Sequence, residues 1–431
     1  MKIMSARKLK GELRMPGDKS ISHRAAMLGS LADGTMVIEN FATSADCAAT
    51  VKCLRSLGVP IHGNERRLTI DGVGKTGLSR ASGALDCENS GTTMRLMAGI
   101  LAGQGFESIL TGDGSLRRRP MRRVIAPLNE MGALVESDDG RPPLRIFGTN
   151  KLKAIDHMPE AASAQLKSSV LLAGLNAEGT TSVIESVPTR DHTERMLRWL
   201  GVDVELAEHG GATKISLSGE SRPRARDILV PGDISSAAFF IVAAAFIKDS
   251  DLVIRDVGFN SSRRAIVEVM SRLGANVNVE NGREVCNEPV ADIVIRGGIP
   301  SPRPDRTLIS GSIVANLIDE IPILAVAGTQ IEGGITVRQA GELRIKESDR
   351  IKSIVENLQR MGADVKEFDD GFSVGKSRLR GAEIDSFGDH RIAMAFAIAG
   401  LFADGETEIP DAGCAAVSFP AFFDTLSSVI Y

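Results

Sequence analysis

The chain has 431 residues, 43% of them hydrophobic and 25% charged, which allows two or three ordinary domains with a core each and excludes a disordered chain. A formal net charge of -4 excludes the generally basic surface of a nucleic-acid or anionic-membrane binder, so local basic clusters must be read as sites or as solvated faces. Five cysteines (Cys47, Cys53, Cys87, Cys286 and Cys414) show no CxxC or Cys/His ligand spacing; this argues against a disulfide framework and a structural zinc and fits a reducing compartment.

From the first residues onward, Met1-Lys2-Ile3-Met4 leads straight into polar sequence with neither an apolar signal core nor an Arg/Ser-rich extension, so a cytoplasmic protein is expected. Apolar stretches such as that from Ala237 to Ile247 are about half a membrane span, so no membrane association is expected. Six small or polar turns then each open an alanine-rich apolar helix. In chain order they are Gly17-Asp18-Lys19-Ser20, Ser90-Gly91-Thr92, Ala162-Ser163-Ala164-Gln165, Gly232-Asp233-Ile234-Ser235, Ile318-Asp319-Glu320 and Gly388-Asp389-His390-Arg391. A second series is offset from the first: Leu57-Gly58-Val59, Met131-Gly132-Ala133, Leu200-Gly201-Val202, Leu273-Gly274-Ala275 and Met361-Gly362-Ala363. Each follows an amphipathic stretch and precedes an alternating one, which predicts helix, glycine C-cap, strand. Two helices and several short strands per repeat, six times over, account for nearly the whole chain, and the last repeat stops at Leu426-Ser427-Ser428 without its glycine. A six-repeat solenoid is the competing architecture. The likeness of Pro16-Gly17-Asp18 to Pro231-Gly232-Asp233, half a chain apart, favours two pseudo-equivalent halves of three repeats.

Helix N-termini expose unpaired N–H groups and partial positive charge, so several of them converging would bind anions even in a mildly acidic protein. The turns carry Lys19, Ser20, Arg24, Asn89, Thr92, Ser163, Gln165, His390 and Arg391, the mixture of cations, hydroxyls and amides that phosphate and carboxylate ligands require. Any single turn is explained by ordinary N-capping; the set together predicts a binding cleft. The run Leu116-Arg117-Arg118-Arg119-Pro120-Met121-Arg122-Arg123 reads as a solvated helix start or, alternatively, a nucleic-acid patch, and Glu342 to Arg350 alternates charge as a salt-bridged surface helix does. Gly72-Val73-Gly74-Lys75-Thr76-Gly77 matches a dinucleotide-binding pattern, but no apolar helix follows, and Thr69 stands where a phosphate-loop glycine belongs; a hairpin turn is expected instead.

At Pro16-Gly17-Asp18-Lys19-Ser20-Ile21-Ser22-His23-Arg24 the sequence resembles the 5-enolpyruvylshikimate-3-phosphate synthase family. The likeness continues through Asn89-Ser90-Gly91-Thr92, Arg119-Pro120-Met121, Ala162 to Ser168, Thr189-Arg190-Asp191-His192-Thr193-Glu194, Ile318 to Pro322, Glu342 to Arg350 and Asp389 to Met394, in family order. The Ala-Ser-Ala-Gln and Thr-Arg-Asp-His forms look like its class II branch. The resemblance implies an α/β (α+β) fold, a two-domain inside-out α/β barrel of six βαβαββ repeats, with residues 1–17 plus 232–431 in one half, 18–231 in the other and the active site in the cleft that closes between them. It also implies transfer of the enolpyruvyl group of phosphoenolpyruvate to the 5-hydroxyl of shikimate 3-phosphate, by addition to a tetrahedral intermediate and elimination of phosphate.

Residue by residue, the resemblance places shikimate 3-phosphate against Lys19, Ser20, Arg24, Ser163, Ala164, Gln165, Arg190, Asp319 and Lys346, and phosphoenolpyruvate against Lys19, Gly91, Arg119, Gln165, Arg350 and Arg391. Two ligands with about five negative charges suit such a set of cations. Asp319 is the implied group on the 5-hydroxyl; Glu347 and Lys19 are candidates for proton transfer at the enol carbon. The reaction needs no metal and no organic cofactor. Glyphosate is an expected competitive inhibitor, since Gly91 leaves room beside the phosphoenolpyruvate site, and a monomer would suffice. Two departures stand out: Ala416-Val417 precede Ser418-Phe419-Pro420 where many members carry Lys or Thr, which removes a cation from that loop, and Leu96 stands where class I members have proline. UDP-N-acetylglucosamine enolpyruvyl transferase is the nearest alternative, but its reactive loop cysteine is missing from Arg117-Arg118-Arg119-Pro120. An RNA-end-processing or nucleic-acid-binding protein on related repeats is the alternative from another class, and the acidic net charge opposes it.

Overall fold

The computed structural model describes residues 1–298 and 307–431. Each repeat places two kinds of helix in fixed order. The first kind is buried on every side: Lys19–Leu31, Gly91–Ala102, Ala164–Gly174, Ile234–Phe246, Ile321–Gly328 and His390–Phe402. Alanine and glycine let such helices pack closely; a Cβ on Gly99 would lie 2.1 Å from Ser169 O of the neighbouring helix. The second kind is amphipathic: Ala45–Ser56, Arg122–Glu130, His192–Trp199, Ala265–Arg272 and Arg350–Arg360.

The predicted glycine stops are present. Gly58, Gly132, Gly201, Gly274 and Gly362 all have φ between 77° and 100°, and the residue after each donates its N–H to the carbonyl five positions back, as Val59 N does to Leu54 O at 3.2 Å. This is the Schellman closure, which only glycine adopts without a Cβ penalty. The sixth amphipathic helix, Phe422–Ser427, ends without it.

Among the described residues the strands build five four-stranded sheets with one pattern. Leu85–Asp86, for instance, runs parallel to Glu107–Thr111, which is antiparallel to Arg141–Phe147, itself antiparallel to Leu134–Asp138. The parallel pair brackets the buried helix and the antiparallel hairpin follows the amphipathic one, giving βαβαββ. Lys10–Arg14 and Ile228–Leu229 exchange partners: Lys10–Arg14 pairs in parallel with Asp251–Arg255, and Ile228–Leu229 with Ile38–Glu39.

The chain divides into two compact units, one of Met1–Pro16, Pro231–Glu284 and Pro289–Tyr431, the other of Gly17–Val230 with Val285–Glu288. Each has its own apolar core. Gly17 opens the second unit at a contact that admits no side chain: a Cβ there would lie 1.8 Å from Asn40 O. No helix among the described residues is long and apolar enough to cross a membrane.

Two local expectations are corrected. The Gly72–Gly77 segment is not a hairpin. The strand Arg67–Val73 already has antiparallel partners on both sides, Asp33–Glu39 and Ile61–Gly63, and the turn after it is held by Lys75 Nζ, which donates to Leu175 O (2.8 Å) and Gly219 O (2.6 Å). Nor is Glu342 to Arg350 one surface helix. A 3-10 helix, Gly341–Ile345, stops there, Asp349 caps a new helix by accepting from Lys352 N (3.1 Å), and Arg344 turns aside to Asp349 and Glu367, 2.8 Å each.

Candidate active site

The sequence-predicted residues fall into two sets, one in each unit. In the second unit three buried helices begin close together. Asp18 caps the first through Ile21 N (2.9 Å), Ser90 the second through Thr93 N (3.1 Å), and Ser163 the third through Leu166 N (3.3 Å). Gly91 is therefore the first residue of its helix and Ser90 the cap. A hydroxyl chain joins the first two: His23 Nδ1 meets Thr50 Oγ1 at 2.7 Å, Thr50 meets Thr93 at 2.7 Å, and Thr93 meets Ser90 at 2.7 Å. Gln165 joins the second and third, donating to Thr92 Oγ1 (2.9 Å) and accepting from Arg95 Nη1 (2.8 Å).

Lys19 Nζ pairs with Asp46 Oδ2 at 2.9 Å, a contact that a bound anion could replace. Ser20 is half-buried, and its carbonyl accepts from Arg24 Nη1 at 2.9 Å. Arg24 is 3% exposed and also donates to Thr193 Oγ1 (2.7 Å) and Ser168 Oγ (2.8 Å). Among the described residues no carboxylate is paired with it, and burial lowers its pKa to about 10, with the nearby charge of Arg190 acting in the same direction and Glu194 opposing. Burial and the charges of Lys19 and Arg24 push His23 well below the ordinary histidine range, which leaves the imidazole neutral. Of the arginine run, Arg119 is the buried member and donates to Asn89 Oδ1 at 2.9 Å, while Arg117, Arg118, Arg122 and Arg123 are exposed, as a solvated helix start requires. Ala164 is the first residue of its helix, and Arg190 is half-buried in the loop before His192–Trp199.

In the first unit the structure brings Asp319, Glu347, Arg350 and Arg391 together. Asp319 does not cap the helix that follows, as its turn suggests; Glu320 occupies the cap position. The Asp319 carboxylate instead faces three guanidinium groups: Oδ1 lies 3.5 Å from Arg350 Nη1 and 3.5 Å from Arg391 Nε, and Oδ2 lies 3.6 Å from Arg263 Nη1. Arg391 Nη1 also donates to the Asp319 carbonyl at 3.0 Å. Arg350, 1% exposed, is bound by Asp389 Oδ2 (2.8 Å) and Glu347 Oε2 (2.6 Å). Burial alone would raise the Asp389 carboxyl; the charge and hydrogen bond of Arg350, with the help of His390, outweigh it and hold the group below the usual carboxylate range. Lys346 is half-buried, and burial, aided by Arg350 and opposed by Asp319, lowers its pKa. Ala416 and Val417 lie on the 3-10 turn Ala412–Val417 and bring no cation.

Sequence reasoning missed several partners. Lys167, almost fully buried, is clamped by Glu185 (2.8 Å) and Glu194 (2.6 Å), and Thr189, beside Arg190, donates to the same Glu185. Lys167 and Glu194 lie inside runs already singled out, next to Ser168 and Thr193 that hold Arg24. Arg263 had only the turn residues Asn260 and Ser262 to signal it. Among the described residues no group of three or more His, Cys, Asp or Glu side chains is placed to hold a metal ion.

Residues 3–426 match the family model described as EPSP synthase (3-phosphoshikimate 1-carboxyvinyltransferase). The chain belongs to the EPSP synthase family. The 3-phosphoshikimate 1-carboxyvinyltransferase of Pelotomaculum thermopropionicum is 50% identical over 435 residues, covering 99% of this chain and 98% of that protein. The EPSP synthase structure from Acinetobacter baumannii superimposes with a TM-score of 0.86 at 42% identity, over 100% of this chain and 98% of the other. The enolpyruvyl transferase NikO of Streptomyces tendae, at 18% identity and a TM-score of 0.77 over 99% of this chain and 96% of the other, shares the fold. The α/β fold that the resemblance implied is thus met by the EPSP synthase and enolpyruvyl transferase architectures.

Proposed function

We propose that this chain transfers the enolpyruvyl group of phosphoenolpyruvate to the 5-hydroxyl of shikimate 3-phosphate, a step in aromatic amino acid biosynthesis, as the family implies. The observation that carries this reading is Asp319, a carboxylate ringed by Arg263, Arg350 and Arg391. Such an arrangement suits a base that must act beside the anionic groups of two substrates.

In this assignment Lys19, Ser20, Arg24, Ser163, Ala164, Gln165, Arg190, Asp319 and Lys346 hold shikimate 3-phosphate, and Lys19, Gly91, Arg119, Gln165, Arg350 and Arg391 hold phosphoenolpyruvate. The 5-hydroxyl oxygen bonds to C2 of phosphoenolpyruvate as its proton passes to Asp319, while C3 takes a proton from Glu347 or Lys19. The tetrahedral intermediate then expels phosphate, which leaves with the proton that Asp319 took up, and C3 returns its proton to the group that supplied it. Arg119, Arg350 and Arg391 stabilise the charge that collects on the departing phosphate. Work as a cytoplasmic monomer completes the reading.

The test is phosphate release from phosphoenolpyruvate with shikimate 3-phosphate, without it, and with UDP-N-acetylglucosamine in its place. Release only with shikimate 3-phosphate is expected; release only with the nucleotide sugar overturns the assignment. Glyphosate is expected to compete with phosphoenolpyruvate. A Cβ at position 91 would lie 2.7 Å from Arg95 Nη1 and 3.3 Å from Arg119 Nη1, so Gly91→Ala narrows this pocket. That variant should raise the inhibition constant for glyphosate by at least about tenfold, the effect of losing about 1.4 kcal/mol, and a steady-state inhibition series in which it binds glyphosate as the parent does would refute the placement.

A further inference from the structure

Two of the three arginines around Asp319 are assigned to the donor substrate; Arg263 is not, and it is held differently. Arg263 is 3% exposed and follows a turn fixed by Asn260, whose carbonyl accepts from Arg263 N (2.8 Å) and whose Oδ1 accepts from Ser262 N (2.9 Å) and Oγ (2.8 Å). One edge of its guanidinium meets Asp319 Oδ2 through Nη1. The other edge is occupied: Nη2 donates to Ser235 Oγ, which donates in turn to Glu320 Oε1, and Glu320 and Asp233 lie 3.8 and 3.9 Å from the same nitrogen. A planar fork can serve both edges at once, and the buried acids keep it in place.

We propose that Arg263 is the positioning residue for Asp319, holding Oδ2 throughout the cycle while Arg350 and Arg391 exchange Oδ1 for the anionic groups of phosphoenolpyruvate. This rests on the assignment of Asp319 and the two donor arginines given above. Once donor anions engage Arg350 and Arg391, the field favouring an ionised Asp319 weakens, and anions nearby favour its protonation. Of the three guanidinium groups Arg263 is the one that stays, and with Lys346, whose charge also acts on Asp319, it keeps the carboxylate ionised and aimed when the acceptor hydroxyl must lose its proton.

Arg263→Gln and Arg263→Lys, compared with the parent, separate this role from a structural one. In R263Q, kcat should fall on the order of 10²-fold, the effect of a misplaced catalytic group, while KM for phosphoenolpyruvate stays within about threefold. Loss of a cation raises a carboxylate pKa, so the acid limb of the kcat profile should move up by about one pH unit. R263K retains charge beside Asp233 and Glu320 and preserves the fold, but one ammonium cannot span Ser235 and Asp319; its kcat should fall between the other two, with a smaller limb shift. Should R263Q fail to fold, R263K decides alone. An unmoved limb, or a raised KM with kcat intact, overturns the proposal. A parent that releases no phosphate with both substrates overturns the functional reading, and this inference with it, before any variant is compared.

Discussion

Asp319→Asn is expected to lower kcat for enolpyruvyl transfer by about 10²–10⁴-fold, the range spanned by a positioned general base. Asparagine has the same shape, and Arg391 Nη1 donates to the backbone carbonyl of residue 319, a contact the substitution leaves in place. The loss therefore falls on proton transfer more than on binding, and KM for phosphoenolpyruvate should change far less than kcat. The remaining rate should also lose the acid limb that Asp319 imposes. Steady-state phosphate release between pH 5 and 9 checks both points; a fall in kcat of less than tenfold would remove Asp319 from the acceptor hydroxyl.

Arg350→Met is expected to affect stability as well as activity. In the native chain the guanidinium neutralises the fully buried Asp389 and pairs with Glu347. Removing one partner of a buried pair leaves an uncompensated charge, at about 3–5 kcal/mol. The pH dependence should reverse as well. The Asp389 carboxyl of the parent is held below its ordinary range, so it contributes stability that is present above the unfolded carboxylate pKa of about 4 and lost as pH falls through the lower folded value. Without Arg350, burial dominates and the folded pKa rises above the unfolded one. That contribution is then present at low pH and lost as pH rises through the raised value. Thermal midpoints across pH 4–8 should therefore rise on acidification in R350M over a range where the parent's do not. A variant whose midpoints parallel the parent's would show that Arg350 is not the counter-charge of Asp389.

The repeat architecture was legible because its punctuation is local. Gly58, Gly132, Gly201, Gly274 and Gly362 sit where the chain takes a left-handed turn, and Asp18, Ser163, Asp233 and Asp389 accept from their own helix N-termini as their residue types require. Asp319 stands in the equivalent position with the same residue type, yet its side chain serves no cap; capping chemistry predicts a helix start and says nothing of three arginines that arrive from residues 263, 350 and 391. The charge alternation of Glu342 to Arg350 misled for a related reason. Spacing along the chain matched a helix, but Asp389 and Glu367, distant in sequence, claimed its arginines. Arg263 lay outside every motif because its partners are distant in sequence: Ser235 opens the preceding buried helix, and Asp319 and Glu320 belong to the next repeat.

The partner exchange of Lys10–Arg14 and Ile228–Leu229 bears on how the chain is made. Residues 17–230 make up all of their own compact unit except Val285–Glu288, so most of that unit is available as soon as they leave the ribosome. The first sixteen residues must wait, because their parallel partner begins at Asp251, Lys2–Ile3 pairs with Thr407–Glu408, and Leu9 bridges to Ile430. Translation at about 5–20 residues per second separates Leu9 from Ile430 by some tens of seconds. During that interval an early strand edge stays unmatched, which leaves Met1–Pro16 open to chaperone capture or to pairing with another nascent copy.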